Sequence, residues 1–422
     1  MKRDDKMDRR GFLRKTTMAA VIGISGASMA RATGVPRERT REEETMACAI
    51  IGYGRQGREI AATVARIPEV NLVAICDTYD VMRKRAHRDA PDARTVGNYR
   101  DVLDDEDVKA VIVATPTHLH REIVVEALAS GKHVYCEAPM AGNIDDARAM
   151  ARAARDTPDL NFHVGQQFRA DPQYLSVAKF IRGGALGKAT LFRGQWHTKQ
   201  SWRRASPNQA RERALNWRLD PDTTTGLVGE AGLHQIDTAL WFAGALPTSV
   251  AGSGQIMLWN DGRTVPDTIQ ATLAFPGGLR MIYDAALTTS FDGSYDLFSG
   301  ENSTIMIRDS KAWMFKEVDA PMLGWEVYAR KDRFYREQGI ALVANATKLD
   351  AQNQDPTADD PNAKPPLFHA LQEFADNYFY GPFEPSAGYR VGFEAAVVAF
   401  KAHEAILNNA TVDINSALFA LN

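Results

Sequence analysis

The sequence predicts an α/β protein built on two sheets, the first parallel and doubly wound, the second antiparallel. Three observations carry this. Apolar runs of strand length alternate with helical stretches between residues 46 and 165, a glycine turn follows the first run, and period-two alternation takes over after residue 189.

Residues 46–51 form a short apolar run, and helical spacing follows at 59–67. Between them Gly52-Tyr53-Gly54-Arg55-Gln56-Gly57 matches G-x-G-x-x-G: one glycine for a tight turn, one for close approach to a pyrophosphate, one for helix-on-strand packing. Residues 71–76 read as a second strand. Asp77 at its end stands about 20 residues beyond the last glycine, where a carboxylate can accept hydrogen bonds from ribose hydroxyls and would repel a 2′-phosphate. The expected cofactor is therefore NAD rather than NADP. Strands at 110–115, 132–136 and 161–165, with helices at 121–130 and 145–155, complete a Rossmann domain over residues 46–168.

From Gln166-Gln167-Phe168-Arg169 the pattern changes, and residues 169–422 read as a second α/β domain. A helix at 174–182 leads through Gly183-Gly184 to a strand at 189–196. Alternating runs at 250–257, 268–275, 279–286 and 304–308 read as antiparallel strands with one covered face, 352–366 as an exposed loop, and 391–408 as a long amphipathic helix. Trp196, His197, Trp202, Arg203, Arg204, Trp217 and Arg218 crowd the stretch before residue 230. Aromatic faces stack on sugar rings and guanidinium groups bind hydroxyls, so this stretch is a candidate carbohydrate-facing loop; core tryptophans covered by arginine stems explain it equally well.

Fifty basic and fifty-three acidic residues give a net charge of -3, which offers no field for nucleic acid. No apolar run is long enough to span a membrane, so no membrane insertion of the mature chain is expected. Cys48, Cys76 and Cys136 fall in or at the end of core strands and match no metal-site spacing; buried thiols and no metal are expected. Asp8-Arg9-Arg10-Gly11-Phe12-Leu13-Arg14-Lys15, followed by a mildly apolar stretch to residue 30, has the order of a twin-arginine export signal over residues 1–32. A charged lead at 33–45 follows. Such a signal implies a periplasmic or secreted protein exported already folded, carrying a cofactor that must stay bound through a closed catalytic cycle.

Thr115-Pro116-Thr117-His118-Leu119-His120, then Gly131 through Cys136-Glu137-Ala138-Pro139, then Gly229-Glu230-Ala231-Gly232-Leu233-His234-Gln235-Ile236-Asp237 resemble, in order, the signatures of the Gfo/Idh/MocA oxidoreductase family. The resemblance implies a C-terminal domain with an open, mostly antiparallel sheet forming one wall of the active site, and a last helix packing back on the cofactor domain. It implies cofactor-binding roles for Thr115, Pro116, His120, Glu137 and Gln166, with His120 near the nicotinamide, and a substrate-facing Arg169. A helix-start histidine satisfied by backbone groups is the other reading of His120. Two departures stand out. Ala138 occupies the place of the lysine in the family's common Glu-Lys-Pro signature and can move no proton, and Glu230 stands where aspartate is more usual.

Glu230, His234 and Asp237 lie at i, i+4 and i+7, which on one helix puts all three on a single face toward the cofactor, with the carboxylate raising the imidazole's proton affinity. A purely structural hydrogen-bond cluster is the alternative. The expected function is hydride transfer between a sugar carbon and nicotinamide, in a small-molecule carbohydrate enzyme that forms a homo-oligomer. A redox-neutral NAD-dependent glycoside hydrolase and a non-catalytic sugar-binding protein are the other expectations.

Overall fold

The computed structural model describes residues 45–333, 338–344 and 363–422. The twin-arginine motif, the charged lead to residue 44 and most of the 352–366 loop lie outside the described residues. Six parallel strands, β1 (Met46–Ile51), β2 (Val70–Cys76), β3 (Arg94–Val96), β4 (Ala110–Val113), β5 (His133–Cys136) and β6 (Phe162–Val164), pair in the order β3-β2-β1-β4-β5-β6. The strand order reverses between β1 and β4, and such sheets bind ligands beyond the strand ends at that point.

Helices α1 (Arg55–Val64), α2 (Asp80–Asp89), α3 (Arg100–Leu103), α4 (His120–Ala129) and α5 (Ile144–Asp156) connect the strands. Burial on both faces explains the continuous apolar runs. In β1, Met46, Cys48 and Ile50 share one core with Ile60 and Val64 of α1, whereas Ala49 and Ile51 share another with Val124 and Leu128 of α4 and Met150 of α5. The three cysteines are free and buried within these layers.

Asp171 caps α6 (Pro172–Arg182), accepting the Gln173 and Tyr174 N–H groups, with proline in the first turn where no N–H is missed. A ten-stranded sheet follows: β7 (Ala189–His197), β8 (Ser249–Gln255), β9 (Thr268–Ala274), β10 (Arg280–Ala286), β11 (Ser294–Gly300), β12 (Ser303–Arg308), β13 (Lys311–Lys316), β14 (Lys331–Arg333), β15 (Gln338–Ala341) and β16 (Thr411–Asp413). Its order is β14-β15-β13-β12-β11-β7-β10-β9-β8-β16, with β7 and β10 parallel and the other pairs antiparallel.

Between β7 and β8 lie α7 (Gln209–Leu215), α8 (Gly226–Glu230) and α9 (Leu233–Ala243); α10 (Pro366–Tyr380) and α11 (Tyr389–Asn408) close the chain's helical part. Ile269, Ala271 and Leu273 of β9 alternate inward and meet Ile236 and Leu240 of α9 and Val398 and Ala402 of α11. The opposite side of α11 presents Phe393, Ala396 and Val397 to the first sheet, so one helix serves both cores.

Two expectations need correction. Helix α10 begins where the sequence reads as the end of an exposed loop, and its Leu367, Leu371 and Phe374 seal the face of the first sheet that carries Met46 and Ile50. The Rossmann core therefore does not end at residue 168; a helix from the far end of the chain completes it. Each such buried side chain is worth roughly 1.5–3 kcal/mol, which a sheet face cannot forgo. The sequence patterns also do not predict β3, β11, β13, β14, β15 or β16, in β11 because a buried Asp296 interrupts the apolar alternation.

Candidate active site

The glycine turn after β1 divides into two chemical roles. At Gly52 the backbone has φ +99° and a Cβ would lie 2.7 Å from the Ala114 carbonyl oxygen; at Gly57 a Cβ would lie 1.9 Å from the Gly52 oxygen. Only glycine fits either place. Gly54 is the reverse case, with no atom within 4 Å of that direction, and it opens α1, whose N-terminus has no side-chain cap. Unsatisfied amides beside open space suit an anion. The Tyr53 N–H donates to Asp77 Oδ2 at 2.9 Å and the Tyr79 N–H to Oδ1 at 2.8 Å, which fixes the Asp77 carboxylate while leaving further lone pairs for hydroxyl donors.

At the other end of the crevice Glu137 leaves β5. Gln56 Nε2 donates to its Oε1 at 3.3 Å, yet burial outweighs this bond and pushes the carboxyl up to about 7. A Cβ on Gly165 would stand 3.0 Å from the Ala138 nitrogen and 3.2 Å from Glu137 Oε2, so the chain leaving β6 runs hard against the Ala138 step. Gln166, next in line, is 1% exposed, and neither its Oε1 nor its Nε2 has a partner; the Thr115 hydroxyl is buried and equally unpaired. Orphaned polar groups of this kind call for a ligand or water. Glycine turn, free helix end, Asp77 and unpaired Thr115 and Gln166 together fit a nicotinamide dinucleotide.

Both ring nitrogens of His120 are taken up by backbone oxygens. Its Nδ1 lies 3.1 Å from the Pro139 oxygen and its Nε2 2.9 Å from the Thr115 oxygen; the ring is buried and burial pushes its pKa down to about 4. Of its two readings the backbone-satisfied one applies, and the ring ties the turn begun by Thr115 and Pro116 to the Ala138-Pro139 step. His118 has the unpaired atom instead: its Nδ1 has no partner and its ring lies 6.0 Å from that of Trp217.

Glu230, His234 and Asp237 do not share one helix face. Residues 226–230 form α8, the chain breaks at Ala231-Gly232, and α9 starts at Leu233. Close packing keeps residue 232 a glycine, since a Cβ there would lie 2.6 Å from the Tyr283 ring. The carboxylate of Glu230 accepts from Arg218 Nε at 3.0 Å and from the Thr225 hydroxyl at 2.8 Å. That of Asp237 is held by Arg169 through Nε at 2.8 Å and Nη2 at 2.9 Å.

Two carboxylates expected to tune the imidazole are thus committed to guanidinium groups. His234 keeps Nδ1 without a partner, packs its ring 5.4 Å from that of Phe168, and is driven by burial down to about 4, the opposite of the expected rise in basicity. It is a neutral imidazole at physiological pH. Arg169, expected to face substrate, and Asp237, expected in catalysis, instead form a bidentate pair that joins the turn after β6 to α9.

The aromatic and arginine-rich stretch divides likewise. Trp217 is 7% exposed with the Arg218 guanidinium 4.3 Å above it, a core tryptophan covered by an arginine. Trp196 stays half-buried with its ring 6.1 Å from that of Trp202, and His197 Nε2 lies 2.7 Å from Asp284 Oδ2. Thr225, which fixes Glu230, is a site residue that no sequence motif singles out.

Residues 46–166 match the family described as oxidoreductase family, NAD-binding Rossmann fold, and residues 174–305 match the GFO/IDH/MocA C-terminal domain. A levoglucosan dehydrogenase of Pseudarthrobacter phenanthrenivorans is 34% identical over 151 residues, 36% of this chain and 37% of that protein. A glycosyl hydrolase family 109 protein of a Shewanella species is 30% identical over 230 residues, 47% of this chain and 50% of that protein. The chain spans about half or less of the length of these two relatives. Among solved structures, a levoglucosan dehydrogenase in complex with NADH and levoglucosan superposes with a TM-score of 0.70 at 20% identity, covering 88% of this chain and 100% of that one, a likeness of fold.

Proposed function

The chain belongs to the Gfo/Idh/MocA family of oxidoreductases, and from that premise we propose that it is an NAD-dependent enzyme acting on a carbohydrate or polyol. The observation that carries the proposal is the neutral His234, its Nδ1 unpaired, on the helix that Arg169 and Asp237 bind to the turn bearing the orphaned Gln166. When bound, a nicotinamide would supply the acceptor for a hydride from carbon and the means to return it. The residues present supply the rest. Neutral His234 would take the hydroxyl proton as hydride leaves, and Glu230, held by Arg218 and Thr225, is fixed in place at the end of the preceding helix.

Ala138 favours a second reading, the redox-neutral glycoside hydrolase. With no lysine at this step, a cycle that oxidises a sugar carbon, eliminates the aglycone, adds water and restores the hydride needs no net proton acceptor. The 30% identity to the family 109 protein supports it. The twin-arginine motif supports a place outside the cytoplasm, where a retained NAD would suit such a cycle; a homo-oligomer is proposed with it.

The test is to purify the protein without added cofactor, assay released NAD by mass spectrometry, and offer free sugars and aryl glycosides. NAD should co-purify. NADH accumulating with a free sugar marks the dehydrogenase, glycoside cleavage without net NADH marks the hydrolase, and neither activity favours the sugar-binding protein. His234→Ala should abolish turnover with NAD content unchanged; loss of both would mean that His234 is structural.

A further inference from the structure

The stretch between β7 and α8 belongs by connectivity to the second domain, yet three of its side chains lie against the first. The Arg211 guanidinium of α7 sits 3.8 Å above the ring of Tyr79, two residues past the Asp77 that fixes the ribose end of the crevice, and its buried Nε has no hydrogen-bond partner. The Trp217 ring meets His118 at 6.0 Å. Arg204 stands within electrostatic range of Arg55 and Arg58 of α1 and of Arg218. Its backbone is pinned on both sides by Asn216, whose Oδ1 accepts the Arg204 N–H at 2.7 Å and whose Nδ2 donates to the Arg204 oxygen at 3.0 Å.

The charge balance here is one-sided. Arg218 is matched by Glu230, and Arg203 by Glu212 and Asp261, but among the described residues Arg204 and Arg55 have no carboxylate partner. Arg58 spends its Nε on the Gly54 oxygen at 3.3 Å. Like charges gathered without a counter-ion repel one another. Arg204 is solvent-exposed beside these cations, so an anion arriving from solvent can reach it. The open space at Gly54 and the uncapped start of α1 belong to the same turn as Arg55 and Arg58, the first and fourth residues of that helix.

We infer that residues 201–219 are a strap closed over the dinucleotide, in which Arg204 joins Arg55 and the amide end of α1 in binding the pyrophosphate and Arg211 on Tyr79 latches the strap over the adenosine side. This rests on the NAD-dependent reading above and adds to it a reason for retention. Dissociation requires the second domain's strap to lift, and the strap carries a charge that the departing phosphates would leave unpaired.

The experiment measures NAD, not turnover. The purified protein, loaded with NAD, is passed repeatedly through gel filtration at low and at high salt, and the dissociation rate is followed by trapping released NAD. Arg204→Met should raise that rate on the order of 10- to 100-fold at low salt and flatten its salt dependence. Arg204→Lys should lie between, and Arg211→Ala should raise the rate with the salt dependence kept. Arg330→Ala, paired with Asp332 next to the far edge strand of the second sheet, should change nothing. Thermal midpoints check that the variants are folded. Wild-type and Arg204→Met proteins that release NAD at the same rate and with the same salt dependence overturn the strap while leaving the cofactor reading intact. A wild-type protein with no affinity for NAD sinks both.

Discussion

Beside Ala138, where the family's common signature carries a lysine, Glu137 is the titratable group that β5 delivers to the crevice. Its carboxyl, pushed up to about 7 by burial, is half ionised at neutral pH. With His234 as the proton acceptor, kcat/KM should be flat through 7 and fall only toward about 4, where the imidazole becomes charged. Glu137→Gln should leave that profile unchanged in shape. A wild-type profile that rises through about 7, with the inflection lost in Glu137→Gln, would move the acceptor role from His234 to Glu137. The resemblance singled out both residues. Their charge states were not legible, because desolvation is caused by neighbours far apart in sequence.

On the scale of elements, the Arg169–Asp237 pair decides how α9 meets the turn after β6. Asp237 is almost wholly buried and Arg169 nearly so, with the guanidinium also 5.3 Å from the Trp241 ring. Removing one partner leaves a buried charge unmatched, so Asp237→Asn should cost roughly 3 kcal/mol in urea unfolding. A loss under about 1 kcal/mol would show the pair to be solvent-screened after all. Spacing suggested a single helix through residues 230–237. Gly229 and Gly232 were in plain view, but that they admit Thr225 and Tyr283 at contacts no side chain would allow is a fact of packing.

For the molecule as a whole, buried titratable groups of two kinds set the pH range of stability. His120, His234 and His403 are each lowered to about 4, below their ordinary 6.5, so they favour the folded state above 6.5 and that stability is lost as pH falls through 4. Asp296 and Glu137 are raised to about 7, so they favour it at low pH and that stability is lost as pH rises through 7. Asp296 lies in the second core, its Oδ1 accepting from Gln235 Nε2 at 3.0 Å. In Asp296→Asn this alkaline loss should shrink: between pH 5 and 8 the wild-type unfolding free energy should fall by about 2 kcal/mol more than the variant's. Parallel curves would mean that Asp296 is solvated.

The strand and helix periods and the glycine fingerprint determined the two-sheet architecture and the dinucleotide crevice, because each is a local pattern that only one kind of backbone satisfies. Tertiary structure decided what the site residues are free to do. Whether a carboxylate faces a substrate or a guanidinium, whether an imidazole is neutral, and which distant helix covers a sheet depend on groups brought together from opposite ends of the chain, and local spacing has no term for such meetings.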